Sequence, residues 1–351
     1  MFSFMRSVGA ASALVLTAAL VAGCTGPAPS ATNDLAHVTV ATPSPSALAW
    51  MYYYIAEPLG FYEEEGLEVE LVGSVPGNNP AQAIATGSVE YAGAQLSLAL
   101  PVIESDDADL VYLGFSDRWP FRISVLDDSP ITSYAGLSGK EIGIRDEGDV
   151  APATAMLTDA GLEEDDYELV RLGQGATVAA SLVSGDIDAM YASPLNENFV
   201  KTQTGTAVRR LPSAHFDEFV NSGFLADRAH IDVGTRIARA IAKAFVWSEE
   251  NLDSAIDLLA EVQPEAVTDR DAAIETMSIG IVDSLEQLHT EWDIDPNVLD
   301  AQIQVFSPGS TLTAQDIVDD DARAAVWAFD LNALRAAARA GDVAAAKGLN
   351  H

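Results

Sequence analysis

The 351-residue chain is short of cysteine, of positive charge and of histidine. Its one cysteine, Cys24, cannot form an intramolecular disulfide, so a folded domain must be held by its core. Eighteen Lys and Arg stand against 53 Asp and Glu, a formal charge of −35. Such a surface repels nucleic acid and anionic lipid, which excludes DNA and RNA as partners. The five histidines, His37, His215, His230, His289 and His351, are widely spaced, and no H-x-x-x-H pair offers a zinc site. The G-x-S-x-G elbow of serine hydrolases is absent. No cofactor is expected. Beyond the first residues no long apolar run remains, so no spanning helix is expected either.

What is present begins with a leader. Arg6 precedes the apolar run Val8 to Ala22, which is shorter than the roughly 20 residues that a stable spanning helix needs. A positive start, a short apolar core and a small-residue end read as a secretory signal. The run closes Leu20-Val21-Ala22-Gly23-Cys24, similar to a bacterial lipobox in which Cys24 is lipidated and becomes the mature N-terminus. Residues 1–23 then form a signal peptide. Residues 24–36, with Pro27, Pro29 and Ser30, form a flexible tether. The expected location is extracytoplasmic, lipid-anchored to the cell membrane.

The remainder, about 315 residues, is long enough for two lobes. Val38–Ala41 is β-rich and ends before Pro43. Leu48–Leu59 has helical spacing, and Leu67–Val72 alternates as a strand. A helix at 80–86 stops at Gly87 before a strand at Val89–Ala92. The pattern recurs as strand 141–144, helix 151–160, strand 167–172, helix 178–183 and strand 187–191. Strands alternating with helices imply a mostly parallel sheet flanked by helices in each lobe. An internal echo pairs Ala83–Glu90 with Ser181–Asp188, each a helix closing on glycine before a strand. From Val233 the spacing is helical almost to the end. Stripes such as Ile237, Ile241 and Phe245 read as core faces.

Three segments carry a resemblance. Residues 56–70, Ala-Glu-Pro-Leu-Gly-Phe-Tyr-Glu-Glu-Glu-Gly-Leu-Glu-Val-Glu, resemble the A-x-x-x-G-[FY]-[FY]-x-x-x-G-L-x-V signature of ABC-importer solute-binding proteins. Gly136–Ile144 is similar to the family's D-L-K-G-K-x-I-G-V. Ala179–Ala189 is similar to A-L-x-x-G-x-[VI]-D-A. The family comprises the nitrate, sulfonate and taurine binders and the thiamine-pyrimidine-precursor binders. The resemblance spans roughly residues 38–330. It implies the two-lobed type II periplasmic-binding architecture, an ABC permease and ATPase complex as partner, and a monomer that is not an enzyme. It also implies two chain crossings between lobes, near Asp117–Arg122 and Asn221–Ala226. Lobe I is expected to comprise 37–118 and 226–351, and lobe II 119–225. One branch of the family synthesises thiamine pyrimidine with a cysteine-rich motif, which a chain holding only Cys24 lacks. Sensing for a membrane receptor is a further alternative.

Open α/β sheets bind ligands beyond the carboxyl ends of their strands. Four loops follow from that rule. The first holds Thr42, Ser44, Ser46 and Trp50, and the second Gly93, Gln95 and Ser97. The third holds Arg145, Gly148 and Asp149, and the fourth Tyr191, Ser193, Pro194 and Asn196. Trp50 either stacks a planar ligand or packs as a core aromatic. Ser44 and Ser46 either bond ligand or cap a helix. Gln95 suits an amide, pyrimidine or oxyanion. Tyr191 faces either cleft or core, and Ser193 with Asn196 either binds or turns the chain. Arg118 and Trp119 line the hinge or face solvent. Tyr52, Tyr53 and Tyr54 cannot all face one direction on a helix, so one reaches the cleft and the rest pack. Asp149 is expected as an N-cap that offsets the helix dipole and disfavours an anion. This favours a neutral or zwitterionic ligand with a planar part, unless Arg145 or Arg118 compensates for an anion.

Overall fold

The computed structural model describes residues 35–351, except 74, 76–78, 106–107, 146–148, 174–175, 214–215, 217 and 286–293. The leader and Cys24 lie outside the described residues, as do Gly148, His215 and His289; of the expected tether 24–36, residues 35 and 36 are described, and Ala36 already begins a strand. Among the described residues no helix is long and apolar enough to cross a membrane.

Ten strands form two five-stranded sheets. The first contains β1 (Ala36–Ala41), β2 (Leu67–Val72), β3 (Tyr91–Gln95), β4 (Leu110–Phe115) and β10 (Ser222–Asp227). The second contains β5 (Arg122–Leu126), β6 (Lys140–Ile144), β7 (Tyr167–Arg171), β8 (Ala189–Ala192) and β9 (Val208–Arg210). Their orders, β2-β1-β3-β10-β4 and β7-β6-β8-β5-β9, are the same pattern twice. In each, one strand runs antiparallel: β10 between β3 and β4, and β5 between β8 and β9. The internal echo is thus structural, because β3 and β8 occupy equivalent places and each follows a helix closed by glycine.

The elements follow from the residues. β4 is buried along all six positions, so it reads as a continuous apolar run without alternation. Tyr91–Gln95 pairs on both sides, two residues later than the β-rich spacing predicts. The Leu48–Leu59 helix is broken. Only Met51–Ile55 and Phe61–Glu64 are helical, with Gly60 at φ 75° between them. That left-handed turn, inaccessible to most L-residues, is what the family signature's first glycine provides. Phe61 and Tyr62 are buried beside it, and Tyr62 Oη donates to the Tyr53 carbonyl at 2.9 Å.

The chain leaves the first sheet after Phe115 and enters the second at Arg122. The return differs from the expected Asn221–Ala226. Residues 222–227 are β10 itself, so the second crossing ends at Asn221. The crossings touch each other. Arg118 and Val220 form an antiparallel bridge, and Trp119 N–H donates to the Phe219 carbonyl at 2.7 Å. Arg122, buried, donates to the carbonyls of Trp119, Phe121 and Phe216 at 2.7–2.9 Å, tying both crossings into one ribbon.

The helix Pro296–Phe306 lies over this ribbon. Leu299 and Ile303 enter the core of the first sheet, whereas Val298, Val305 and Phe306 pack on that of the second. Between them Gln302, fully buried, accepts from Val220 N–H at 2.9 Å and donates to its carbonyl at 2.6 Å.

Candidate functional site

The four predicted loops sit at the carboxyl ends of β1, β3, β6 and β8, two from each sheet. In the first loop, Thr42 is buried and donates to the Ser44 carbonyl at 2.8 Å. Trp50 is 8% exposed, its indole N–H donating to Ser44 Oγ at 2.8 Å and its ring edge-on to Tyr52 and Tyr53. Trp50 and Ser44 therefore satisfy each other, and the core reading of Trp50 has the better geometry. Ser46 is exposed and accepts from Ala49 N–H at 3.3 Å, a turn role. Tyr52, Tyr53 and Tyr54 are all buried, so the expectation that one lines an open cleft is not met. Tyr53 fills the space that a side chain at Gly93 would need: a Cβ there would lie 2.3 Å from Tyr53 Oη. Gly93 is thus a packing residue inside β3.

Gln95, at the end of β3, is half-buried, and its amide makes no hydrogen bond among the described residues. Ser97 is half-buried one residue into the helix Leu96–Glu104 that follows. Gln95 is the predicted residue whose environment fits a waiting ligand group best. It lies opposite Ser222 in the β3–β10 register, which brings this loop against the second crossing.

In lobe II, Asp149 takes the N-cap position of the helix Val150–Asp159 but makes no side-chain cap bond. Its carboxylate turns back to Arg145, accepting from Nε at 2.8 Å, from Nη2 at 2.5 Å and from the Arg145 backbone N–H at 2.9 Å. The capping role is therefore corrected. The two opposite charges are matched, and Arg145 also lies 4.7 Å over the Phe121 ring. An anion would have to displace Asp149 to use Arg145.

Tyr191 is 3% exposed and stacked on Phe121 at 5.0 Å and 11°. Its hydroxyl is buried without a partner, and burial, reinforced by Asp149, pushes its pKa well up. Ser193 and Asn196 form a capping box, Ser193 N–H and Oγ both donating to Asn196 Oδ1. Pro194 is the first residue of the helix they cap, Pro194–Thr204. Asn196 also lines a narrow recess with Ile144, Arg145, Met190, Phe199 and Val200. Arg118 is half-buried, donates to the Glu218 carbonyl, and has a lowered pKa because of burial. Trp119 is buried against Phe121 and Phe306 with its indole N–H unpartnered.

The polar centre of the molecule is at the crossings, and it was missed as a site. Asp117 Oδ2 accepts from Asn221 Nδ2 at 2.6 Å, and Oδ1 accepts from Ser222 N–H at 3.0 Å and Ser116 Oγ at 3.4 Å. Tyr52 Oη donates to Ser116 Oγ at 3.3 Å. Burial pushes the Asp117 carboxyl up to about 7, against the opposing pull of these donors. Among the described residues no cation pairs with it. The visible signal was a lone acid directly after the apolar run Leu110–Phe115.

Comparison with known proteins bears on the family and the fold. The chain is 28% identical over 229 residues to the formylaminopyrimidine-binding protein of Halalkalibacterium halodurans, covering 61% of this chain and 67% of that one. It is 24% identical over 276 residues to the riboflavin-binding protein RibY of Chloroflexus aurantiacus, covering 74% and 76%. A 4-amino-5-hydroxymethyl-2-methylpyrimidine phosphate synthase of Aspergillus parasiticus is 30% identical, but the match covers only 39% of this chain and 40% of the enzyme. The fold is similar to that of the periplasmic aliphatic sulphonate binding protein of Escherichia coli, with TM-score 0.61, 17% identity and coverage of 81% and 92%. It is also similar to a periplasmic sulfonate-binding protein of Methylobacillus flagellatus, with TM-score 0.57, 14% identity and coverage of 84% and 94%. Residues 49–248 match the family model described as NMT1/THI5 like, and the chain belongs to that family of periplasmic-binding fold.

Proposed function

We propose that the protein captures a small, neutral or zwitterionic planar solute between its two lobes and delivers it to an ABC importer. It works outside the cytoplasmic membrane, anchored through lipid on Cys24. The observation that carries this reading is two sheets of one strand order joined by two short, mutually bonded crossings. Such an arrangement turns lobe closure into the binding event, because contacts split between lobes form only when they close. The ligands for which two relatives are named, formylaminopyrimidine and riboflavin, are planar heterocycles. The matched Arg145–Asp149 pair favours such a ligand over a bare anion. A synthase reading lacks support from the chain's chemistry: Cys24 is its single cysteine, so a cysteine-rich motif is absent.

The test is a thermal-shift screen of solutes on lipid-free protein, followed by solution scattering with the best one. A ligand of the folded state raises the midpoint by mass action. The radius of gyration should fall at saturation, and the solute should be recovered unchanged. A constant radius, or a chemically altered solute, would reopen the enzyme reading.

A further inference from the structure

Two side chains of opposite charge tie the crossings together. Arg122 does so beside the second sheet, donating to carbonyls on both crossings. Asp117 does so beside the first. Its carboxylate accepts from its own crossing through Ser116 Oγ, and from the other through Asn221 Nδ2 and Ser222 N–H. Backbone bonds frame the same joint. Asn221 N–H donates to the Asp117 carbonyl at 2.9 Å, and Ser116 N–H to the Ser222 carbonyl at 2.8 Å. The titratable groups facing Asp117 are Tyr52 and Tyr53 from Met51–Ile55, and burial holds both hydroxyls well above their usual range, so both stay neutral. The strands and the helix packed at the joint contribute Gln95, Ser222 and Gln302, none of which titrates. On the crossings themselves, Arg118 is turned to the Glu218 carbonyl and Arg122 to the carbonyls of Trp119, Phe121 and Phe216.

An ionised carboxylate accepts at both oxygens, and bonds to it are charge-assisted, roughly twice as strong as neutral ones. Withdrawn from water, it is solvated by these donors, so it grips them even though the charge costs the fold as a whole. A protonated carboxyl loses the charge assistance, and one of its oxygens becomes a donor, leaving a present partner to face an O–H. Burial sets that exchange at about pH 7. We propose that Asp117 is a proton-controlled latch on the hinge: ionised, it pins the second crossing to the first, and protonated, it frees the ribbon to bend. The latch rests on the two-lobed solute-binding reading above for the motion that it controls.

Energy transfer between two dyes tests it without any solute. Cysteines at Ala180 and Ala336, exposed helix positions in the second and the first lobe, carry the dyes in a Cys24→Ser background that leaves no other cysteine. In single molecules, the distribution of transfer efficiency should be narrow at about pH 8.5 and broad at about pH 5.5, with its midpoint near 7, and should narrow again when the pH is restored. Asp117→Asn, neutral at every pH, should give the broad distribution throughout. Asp117→Ser, which also removes the titrating group, serves if the first variant does not fold. A wild-type distribution that ignores pH, or a pH response that survives loss of the carboxyl, overturns the latch. A solute that shifts transfer at constant pH would leave solute capture standing even then.

Discussion

Tyr191 carries its hydroxyl into lobe II without a partner, and that burial is a cost. Its ring lies flat on Phe121, so the side chain earns its place by stacking. Tyr191→Phe should leave ligand affinity unchanged and raise unfolding stability by up to about 1 kcal/mol, the scale of an unmade hydrogen bond. Lost affinity at unchanged stability would return Tyr191 to the cleft. Asp117 makes the opposite bargain visible through pH. Its folded-state pKa of about 7 lies above its ordinary 3.8, so the folded protein keeps a proton that the unfolded chain has released. Its contribution to stability is therefore greatest below about pH 4 and declines as pH rises towards 7. Urea unfolding from about pH 4.5 to pH 7.5 should show Asp117→Asn gaining on wild type as pH rises. A pH-independent gap would refute the sign. At this scale the sequence was legible in position but ambiguous in role. It located Trp50, Tyr191, Ser193 and Asn196 at strand ends, yet three-dimensional pairing alone decides that Ser44 satisfies Trp50 and that Ser193 and Asn196 cap their helix.

Among the elements, Pro296–Phe306 is the one whose purpose periodicity hid. Leu299 and Ile303 stand at helical spacing, and nothing local marks Gln302 beside them as buried. The structure gives the helix two apolar faces and uses Gln302 as a third strand of backbone-like bonding to Val220. Gln302→Ala would strip partners from a buried N–H and a buried carbonyl, and should cost about 2–4 kcal/mol in chemical denaturation. A loss under about 0.5 kcal/mol, typical of a surface substitution, would show that the pairing is dispensable. Parallel strands such as β2, β6 and β7 were readable because they alternate or stand between clear helices. β4, β5, β9 and β10 were not, since β10 and β5 insert antiparallel and β4 and β9 join their sheets only through them, a long-range pairing that no local window contains. The same limit shifted the second crossing, because Ser222–Asp227 looks like linker until β3 and β4 enclose it.

For the whole molecule, the anchor is the first consequence. Cys24→Ser should release the protein from the membrane while ligand binding persists, because a lipidated cysteine carrying two chains suffices for stable anchoring. Equal membrane retention of the variant, measured by fractionation, would sink the lipidated reading. The second consequence concerns melting. Two lobes on a hinge invite the expectation that they denature in turn. Yet the first sheet is completed only by β10, which returns from beyond the second sheet, and the helix Pro296–Phe306 contributes side chains to both cores. Loosening either sheet strips the cover from the other. Heating should therefore give one calorimetric peak whose van't Hoff and calorimetric enthalpies agree, a single cooperative unit in spite of two lobes. A resolved double peak would mean that the shared helix does not bind their fates together.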